Sequence, residues 1–169
     1  MSFRAATAGM TLVELLVAIA ITSVISLAGW RAIDVLERAR DQAAAEARRW
    51  QTLDRLFESL EADLRRADFQ GLSASPTGLR FRLLALAPGD DAVVIEYVPR
   101  PDTAGRWHLD RIGGGSGVRF NLDAELPRFE FSTDGKAWQT SVTAYPLALR
   151  MQVRFPGSDA DITRLWVLR

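Results

Sequence analysis

The sequence predicts an α+β chain in which a long N-terminal helix carries one or two antiparallel β-sheets on its C-terminal half. Residues 10–30 form an apolar run, and residues 30–70 contain neither proline nor glycine. From residue 79 onward, apolar and polar residues alternate as they do in half-buried strands. The 169 residues suffice for one modest domain plus an anchor, but not for two ordinary domains.

The amino-acid composition argues against several kinds of partner and binding site. Basic and acidic residues are equal in number, 21 of each, so the net charge gives no reason to expect a nucleic-acid partner. The chain has no cysteine and one histidine, His108, which excludes disulfides and thiolate metal sites and argues against imidazole sites. The segment "GSDAD" offers Asp159 and Asp161 in a short turn with too few oxygens for a calcium site. We expect no metal and no cofactor.

The first element is the apolar run of residues 10–30, in which Glu14 is the only ionisable residue. Its length matches the roughly 20 residues that a helix needs to cross a bilayer. Arg4 precedes the run and favours a cytoplasmic N-terminus. A cleaved secretory signal peptide is the competing interpretation, but such a peptide would not need the helical pattern to continue beyond the run.

Glu14 is the unusual residue of this run, because an unpaired carboxylate in lipid costs several kcal/mol. One interpretation is that Glu14 lies near the interface and is hydrated. The other is that a neighbouring chain supplies a cation. If the chain were cut after Gly9, the new amine of Met10 would lie one helical turn from Glu14, and a staggered neighbour could bring its own amine to this carboxylate.

The helix is predicted to continue over residues 31–70 and to end at Gly71, in the turn-rich stretch "GLSASPTG". Its second half has an apolar stripe that we expect to pack on the protein's own sheet rather than in a coiled coil. The stripe consists of Leu53, Leu56, Phe57, Leu60, Leu64 and Ala67. Asp34 with Arg38 and Glu61 with Arg65 are acid–base pairs at four-residue spacing.

The remaining residues, 71–169, predict seven or eight short strands and no second long helix. Residues 92–98 are rich in β-branched residues and indicate a central strand. Residues 128–140 are typical of a hairpin with its turn at Asp134 and Gly135. Other strands are predicted at 79–83, 118–122, 149–155 and 162–168.

The segment "GMTLVELLVAIAI" resembles the type III signal of type IV pilins and type II secretion pseudopilins. That resemblance implies that a prepilin peptidase cuts after Gly9 and methylates the amine of Met10, with Glu14 at mature position five guiding assembly. Met10 departs from the family, in which phenylalanine is commonest at this position. The chain would then comprise a leader (1–9), a transmembrane and assembly helix (10–30), a periplasmic helix (31–70) and a β domain (71–169) packed on residues 50–67.

Within that superfamily the chain resembles the J-type minor pseudopilins. Arg31 stands where major pseudopilins usually have proline, and "RRWQTLDRLFESLEADLRRA", "DGKAW" and the closing strands are similar to J-type segments. The resemblance implies a pilin-like fold and a structural role at the pseudopilus tip. It also implies a single-pass inner-membrane protein with a periplasmic domain. Its partners would be the I-, K- and H-type minor pseudopilins, the major pseudopilin, the prepilin peptidase and the inner-membrane assembly platform.

Three tryptophans, Trp107, Trp138 and Trp166, are candidates either for partner contacts or for filling the core. No catalytic constellation is found. The glycine-rich "GGGSG" lacks a following Gly-Lys-Ser/Thr, Ser116 lies outside a nucleophile elbow, and His108 with Asp110 has no identifiable nucleophile. Asp90 and Asp91 are typical of a solvated turn.

Three alternatives stay open at this point. The first is a minor pilin of a type IV pilus or competence system, which shares the N-terminal signal. The second is an anchored periplasmic binding or sensory domain, and the third is an anchored hydrolase. The last two would have no need for Gly9 or Glu14.

Overall fold

The computed structural model describes residues 11–75, 78–85, 91–115, 117–141 and 145–168. Gly9 and Met10 lie outside these residues, as do Asp90 and Ser116. The described elements are one long helix and eight strands. They are α1 (Leu12–Leu64), β1 (Ala67–Ser75), β2 (Gly78–Leu83), β3 (Val94–Pro101), β4 (Trp107–Ile112), β5 (Val118–Ala124), β6 (Arg128–Ser132), β7 (Ala148–Arg154) and β8 (Asp161–Val167). The chain divides into two compact units, Met1–Ala47 and Arg48–Arg169.

Helix α1 ends at Leu64, so the prediction that it continues to residue 70 is wrong. The last turn tightens, with the Arg66 amide donating to the Asp63 carbonyl at 3.1 Å. From Ala67 the chain pairs with β2, and Ala67 lies opposite Leu83. Inter-strand hydrogen bonds and burial of Ala67 therefore override the helix propensity of this segment. Gly71 lies inside β1 rather than at a helix end.

The first sheet has five antiparallel strands in the order β1-β2-β3-β4-β5. Strand β3 is the middle strand, as its β-branched content predicted. Side chains alternate between a buried and an exposed face, most clearly in β2, where Leu79, Phe81 and Leu83 are buried. Ile95, Tyr97, Leu109, Phe120 and Leu122 continue this buried face.

The second sheet has three antiparallel strands in the order β6-β7-β8. The alternation in residues 149–155 predicts one buried face of Leu149, Met151, Val153 and Phe155. The first three are buried in β7, whereas Phe155 follows the strand and is only partly buried. The hairpin predicted over 128–140 is correct only in its turn, because β6 pairs along its length with β7 and meets the returning segment at one bridge, Phe131 to Gln139. The Asp134 carboxylate accepts the amides of Lys136 and Ala137 and so fixes this turn.

One core joins the second half of α1 to both sheets. Leu53, Leu56 and Leu60 of the predicted stripe are fully buried, and Leu64 is nearly so. Phe57 contacts Trp166 of β8 edge to face, with 5.8 Å between ring centroids. The structure thus confirms the predicted fold class: a long N-terminal helix with antiparallel sheets packed on its C-terminal half.

Candidate functional site

The start of α1 brings the sequence-predicted residue Glu14 into contact with Thr11. The Glu14 carboxylate accepts the backbone amide of Thr11 at 2.8 Å and its hydroxyl at 3.0 Å. The Thr11 hydroxyl in turn accepts the backbone amide of Glu14 at 3.3 Å. This reciprocal arrangement is a capping box, which satisfies two amides that a helix start otherwise leaves without partners. Glu14 therefore has an intramolecular role that sequence reasoning did not assign to it.

Between Leu15 and Trp30, α1 has no ionisable side chain, and its exposed surface is apolar apart from three hydroxyl residues. Large apolar side chains are exposed along the helix from Leu12 to Leu36, and the least exposed of them, Leu15, still has 47% of its surface accessible. The helix contains an 18-residue window with a mean hydropathy of 2.2, long and apolar enough to cross a membrane. These features and the helix's place near the N-terminus are consistent with a single-pass membrane anchor.

Two of the three hydroxyl residues in this apolar stretch, Thr22 and Ser23, donate hydrogen bonds to the helix itself. Thr22 donates to the Ala18 carbonyl at 2.7 Å, and Ser23 donates to the Ile19 carbonyl at 2.8 Å. Such bonds to the preceding turn remove the cost of placing a free hydroxyl among apolar groups. This part of α1 is thus compatible with lipid or with the apolar faces of neighbouring helices.

A buried polar cluster fastens the end of α1 to the five-stranded sheet. Arg111 of β4 donates two hydrogen bonds to the carboxylate of Asp63 in α1, from Nε to Oδ2 at 2.7 Å and from Nη2 to Oδ1 at 2.8 Å. The Tyr97 hydroxyl donates to Asp63 Oδ2 at 2.6 Å and lies 3.2 Å from the Ser59 hydroxyl. Asp63 is only 8% exposed, although the charged residues around it on this part of the helix are mostly solvated.

The electrostatics of this cluster keep Tyr97 neutral and Arg111 charged. Burial raises the pKa of the Tyr97 hydroxyl above its usual range, and its hydrogen bond to Asp63 acts in the same direction. The hydrogen bond from Arg111 to Asp63 raises the pKa of the guanidinium. A charged pair with a neutral phenol can hold two elements in register.

His108 and Asp110 lie on the outer face of the five-stranded sheet, where Asp110 serves as the acceptor for arginines. Arg119 donates to Asp110 from Nε at 2.8 Å, and Arg100 approaches the same carboxylate at 3.4 Å. The Arg119 hydrogen bond is the main reason that the pKa of Asp110 is lowered. His108 Nε2 is 3.8 Å from Asp110, beyond hydrogen-bond distance. Asp110 is therefore an ion-pair centre of the sheet surface.

The three candidate tryptophans occupy different surroundings. Trp166 is 7% exposed and belongs to the core. Trp138 is half-buried under the guanidinium of Arg150, which lies 4.3 Å from its ring centroid. Trp107, at the start of β4, is also half-buried. Trp138 and Trp107 thus retain accessible ring surface, whereas most of Trp166 is committed to the protein's own packing.

The glycine-rich segment "GGGSG" and the segment "GSDAD" both contain residues that contact other parts of the β domain. Gly113 has φ +122°, and an added Cβ would lie 2.1 Å from the Val94 carbonyl oxygen, so the turn after β4 requires glycine there. Asp161, considered above as a calcium ligand, accepts a hydrogen bond from Arg154 at 2.6 Å. Both observations assign these residues to folding contacts of the β domain.

Residues 4–30 match the family model described as the prokaryotic N-terminal methylation motif. The matched segment includes Gly9, Met10, the Thr11–Glu14 cap and the first part of the exposed apolar helix. No curated protein matches the chain. The motif supports a place in the pilin and pseudopilin superfamily, in which the N-terminal segment is a prepilin-type signal.

Proposed function

We propose that this chain is a minor pseudopilin of a type II protein secretion system, of the J type, acting in the complex that starts pseudopilus assembly. The observation that carries this proposal is the exposed apolar stretch of α1 up to Trp30. It lies within the matched methylation motif, and the same helix continues to the turns that form the domain core. A helix that is apolar all round needs lipid, or neighbouring helices, to cover it. Transfer between these two environments is what assembly of a pilus-like fibre requires.

In this proposal Gly9 and Met10 form the peptidase cleavage site, and Met10 carries the methylated amine. Glu14 then has two successive partners. In the single chain it caps its own helix through Thr11. In the assembly the N-terminal amine of a neighbouring chain forms an ion pair with the Glu14 carboxylate. Each of these two charges alone is unfavourable in an apolar environment, and the pair neutralises both. The cap thus lowers the cost of keeping an acid in the membrane-spanning segment until a neighbour arrives.

The proposed role is structural rather than enzymatic. In the pairs of Asp63 with Arg111 and of Asp110 with Arg119, the guanidinium donates its hydrogen bonds to the carboxylate, so these polar groups satisfy one another. The proposed partners are the I-, K- and H-type minor pseudopilins, the major pseudopilin, the prepilin peptidase and the inner-membrane assembly platform. The C-terminal domain would face the periplasm and the N-terminus the cytoplasm.

The first experiment is mass spectrometry of the N-terminal peptide of the native protein from isolated membranes. A chain that begins at methylated Met10 supports the proposal, whereas a chain that begins at residue 1 or 2, or after Ala28 or Gly29, overturns it. A second experiment replaces Glu14 with leucine and measures co-purification with I- and K-type pseudopilins. We expect normal membrane insertion and lost or slowed assembly, with Glu37→Leu on the same helix as the matched control.

A minor pilin of a type IV pilus or competence system shares the matched N-terminal motif. Deleting the gene separates the two functions. Loss of export of folded proteins with normal pili and DNA uptake supports the secretion role, and the opposite result supports the pilus role.

A further inference from the structure

A groove of about 690 Å³ runs beside β8, between this strand, the last turns of α1 and Phe69 of β1. Five consecutive residues of β8 and its extension, 164–168, line it. Consecutive side chains of a strand point to opposite faces, so a groove lined by all five follows the backbone edge of the strand. The apolar residues that line the groove are Leu64, Phe69, Leu165, Trp166, Val167 and Leu168.

Strand β8 has a free edge among the described residues. It pairs with β7 on one side and is the last strand of the three-stranded sheet on the other. Leu165 and Val167, 53% and 60% exposed, stand next to this edge. Edge strands usually carry charges, prolines or bulges that prevent pairing. Strand β8 carries the exposed charge of Arg164, but its two exposed apolar residues favour pairing with a strand that can neutralise that charge. The edge is therefore suited to accept another strand.

The charges at the rim specify what that strand should carry. Arg65 and Arg164 are 76% and 53% exposed, and both approach the same carboxylate, Glu61, at 2.7 and 3.8 Å. Two cations with one anion leave the groove with an excess positive charge. This excess positive charge calls for a negatively charged, oxygen-bearing group on the strand that binds.

A second copy of the same edge does not meet this requirement, because the one acidic residue of β8, Asp161, already accepts a hydrogen bond from Arg154 at 2.6 Å. Pairing β8 with its own copy would bring further arginines to a rim that already has an excess of them. The charges thus favour a different chain.

We propose that the free edge of β8 and its groove bind an extended segment of another protein by strand addition. This segment carries at least one aspartate or glutamate for Arg164 and Arg65, and an apolar side chain that packs against Phe69 and Trp166. Main-chain hydrogen bonds to β8 supply affinity, and the groove and its arginines supply specificity. This goes beyond the proposed function, which does not assign any surface to any partner.

The test places the photo-crosslinking amino acid p-benzoylphenylalanine at Val167 in the full chain, in native membranes. Leu84, which is 58% exposed and follows β2, is the matched control position. We expect a crosslink at position 167 that exceeds the control at least fivefold. Mass spectrometry should map it to a segment of another protein with an acidic residue within two positions. No crosslink above the control overturns the proposal, as does a crosslink to a second copy of this chain or to a segment without an acid.

A charge exchange tests the recognition itself. Arg164→Glu should reduce the crosslink at least fivefold, and replacing the mapped acid of the partner with arginine should restore it. Arg82→Glu, an exposed arginine of β2, is the control for a general charge effect. An unchanged crosslink in Arg164→Glu, or a failure of the exchange to restore it, overturns the proposal. Methylation at Met10 and co-purification of Glu14 variants are independent readouts, so this inference and the proposed function can fail separately.

Discussion

Asp63 of α1 and Arg111 of β4 form a bidentate ion pair, although 48 residues separate them in the chain. Their side chains are 11% and 15% exposed, so the pair is largely removed from water. Desolvating both charges is costly, and their attraction offsets that cost only because the geometry is good and Tyr97 satisfies Asp63 further. The pair therefore fixes how the end of the helix meets the sheet.

Replacing Arg111 with alanine should destabilise the domain by about 3–5 kcal/mol, because it leaves a buried carboxylate without its cation. Urea denaturation of the full chain in detergent, followed by circular dichroism, measures this change. Arg119→Ala is the control, since Arg119 is 58% exposed in its pair with Asp110 and its replacement should destabilise the domain far less. Equal effects of the two substitutions would contradict the assigned role of the buried pair.

Tyr97 should make the domain sensitive to alkaline pH. Its pKa is raised in the folded state, so its contribution to stability is complete below the unfolded tyrosine pKa of about 10 and is lost as pH rises through the folded value. We expect the free energy of unfolding to fall by up to about 1.4 kcal/mol per pH unit above pH 10 from this group. Urea titrations at pH 8 to 12 measure the dependence.

Tyr97→Phe removes that alkaline dependence and, at pH 7, the hydrogen bond to Asp63, which should cost about 1.5–3 kcal/mol. Tyr145→Phe is the matched control, because Tyr145 is 64% exposed. If Tyr97→Phe keeps the full alkaline loss of stability, the loss arises elsewhere in the chain.

Thr11→Val should fray the start of α1 without affecting its interior, because valine cannot accept the Glu14 amide. The loss of the cap corresponds to about 0.5–2 kcal/mol of local helix stability. Hydrogen exchange of the amides of residues 12–15 in detergent micelles measures it, and Thr22→Val, which removes only a bond to the preceding turn, is the control. Thr11→Ser should restore protection.

The three tryptophans should respond unequally to replacement by alanine. Trp166→Ala removes a core side chain and its contact with Phe57, and should cost about 3–5 kcal/mol. Trp138→Ala removes a ring that lies beneath Arg150 on the protein surface, and should cost about 1 kcal/mol. Thermal unfolding of the two variants under the same conditions gives the order, and a larger cost for Trp138 would contradict it.

The elements in which apolar and polar residues recur at regular spacing could be predicted from the sequence. The alternation in residues 149–155 predicted the buried face of β7, and the spacing of Leu53, Leu56 and Leu60 predicted the core face of α1. The i to i+4 ion pairs of α1 were also predicted, and the structure shows both, Asp34 with Arg38 and Glu61 with Arg65. These features depend on neighbours within a few residues of one another.

The features that depend on distant partners could not be predicted in the same way. Nothing within residues 65–70 indicates that the helix stops, because the cause is pairing with β2. Asp63 resembled a solvated residue because its partner Arg111 lies on another element. A signal did exist: Asp63 follows Leu60 by three positions and precedes Leu64 by one, so it borders the apolar stripe. The capping box at Thr11 and Glu14 was also readable, from its three-residue spacing.

The contact between Phe57 and Trp166 has a consequence for the time course of folding. The two rings are separated by more than 100 residues, and β8 is the last strand of the described chain. Contacts of such long sequence separation form late, after the loop between them has closed. During synthesis, the Phe57 ring on the apolar face of the helix therefore stays exposed until most of the domain, including β8, has been made. During that interval the chain is open to proteases and to adhesion to other unfolded chains.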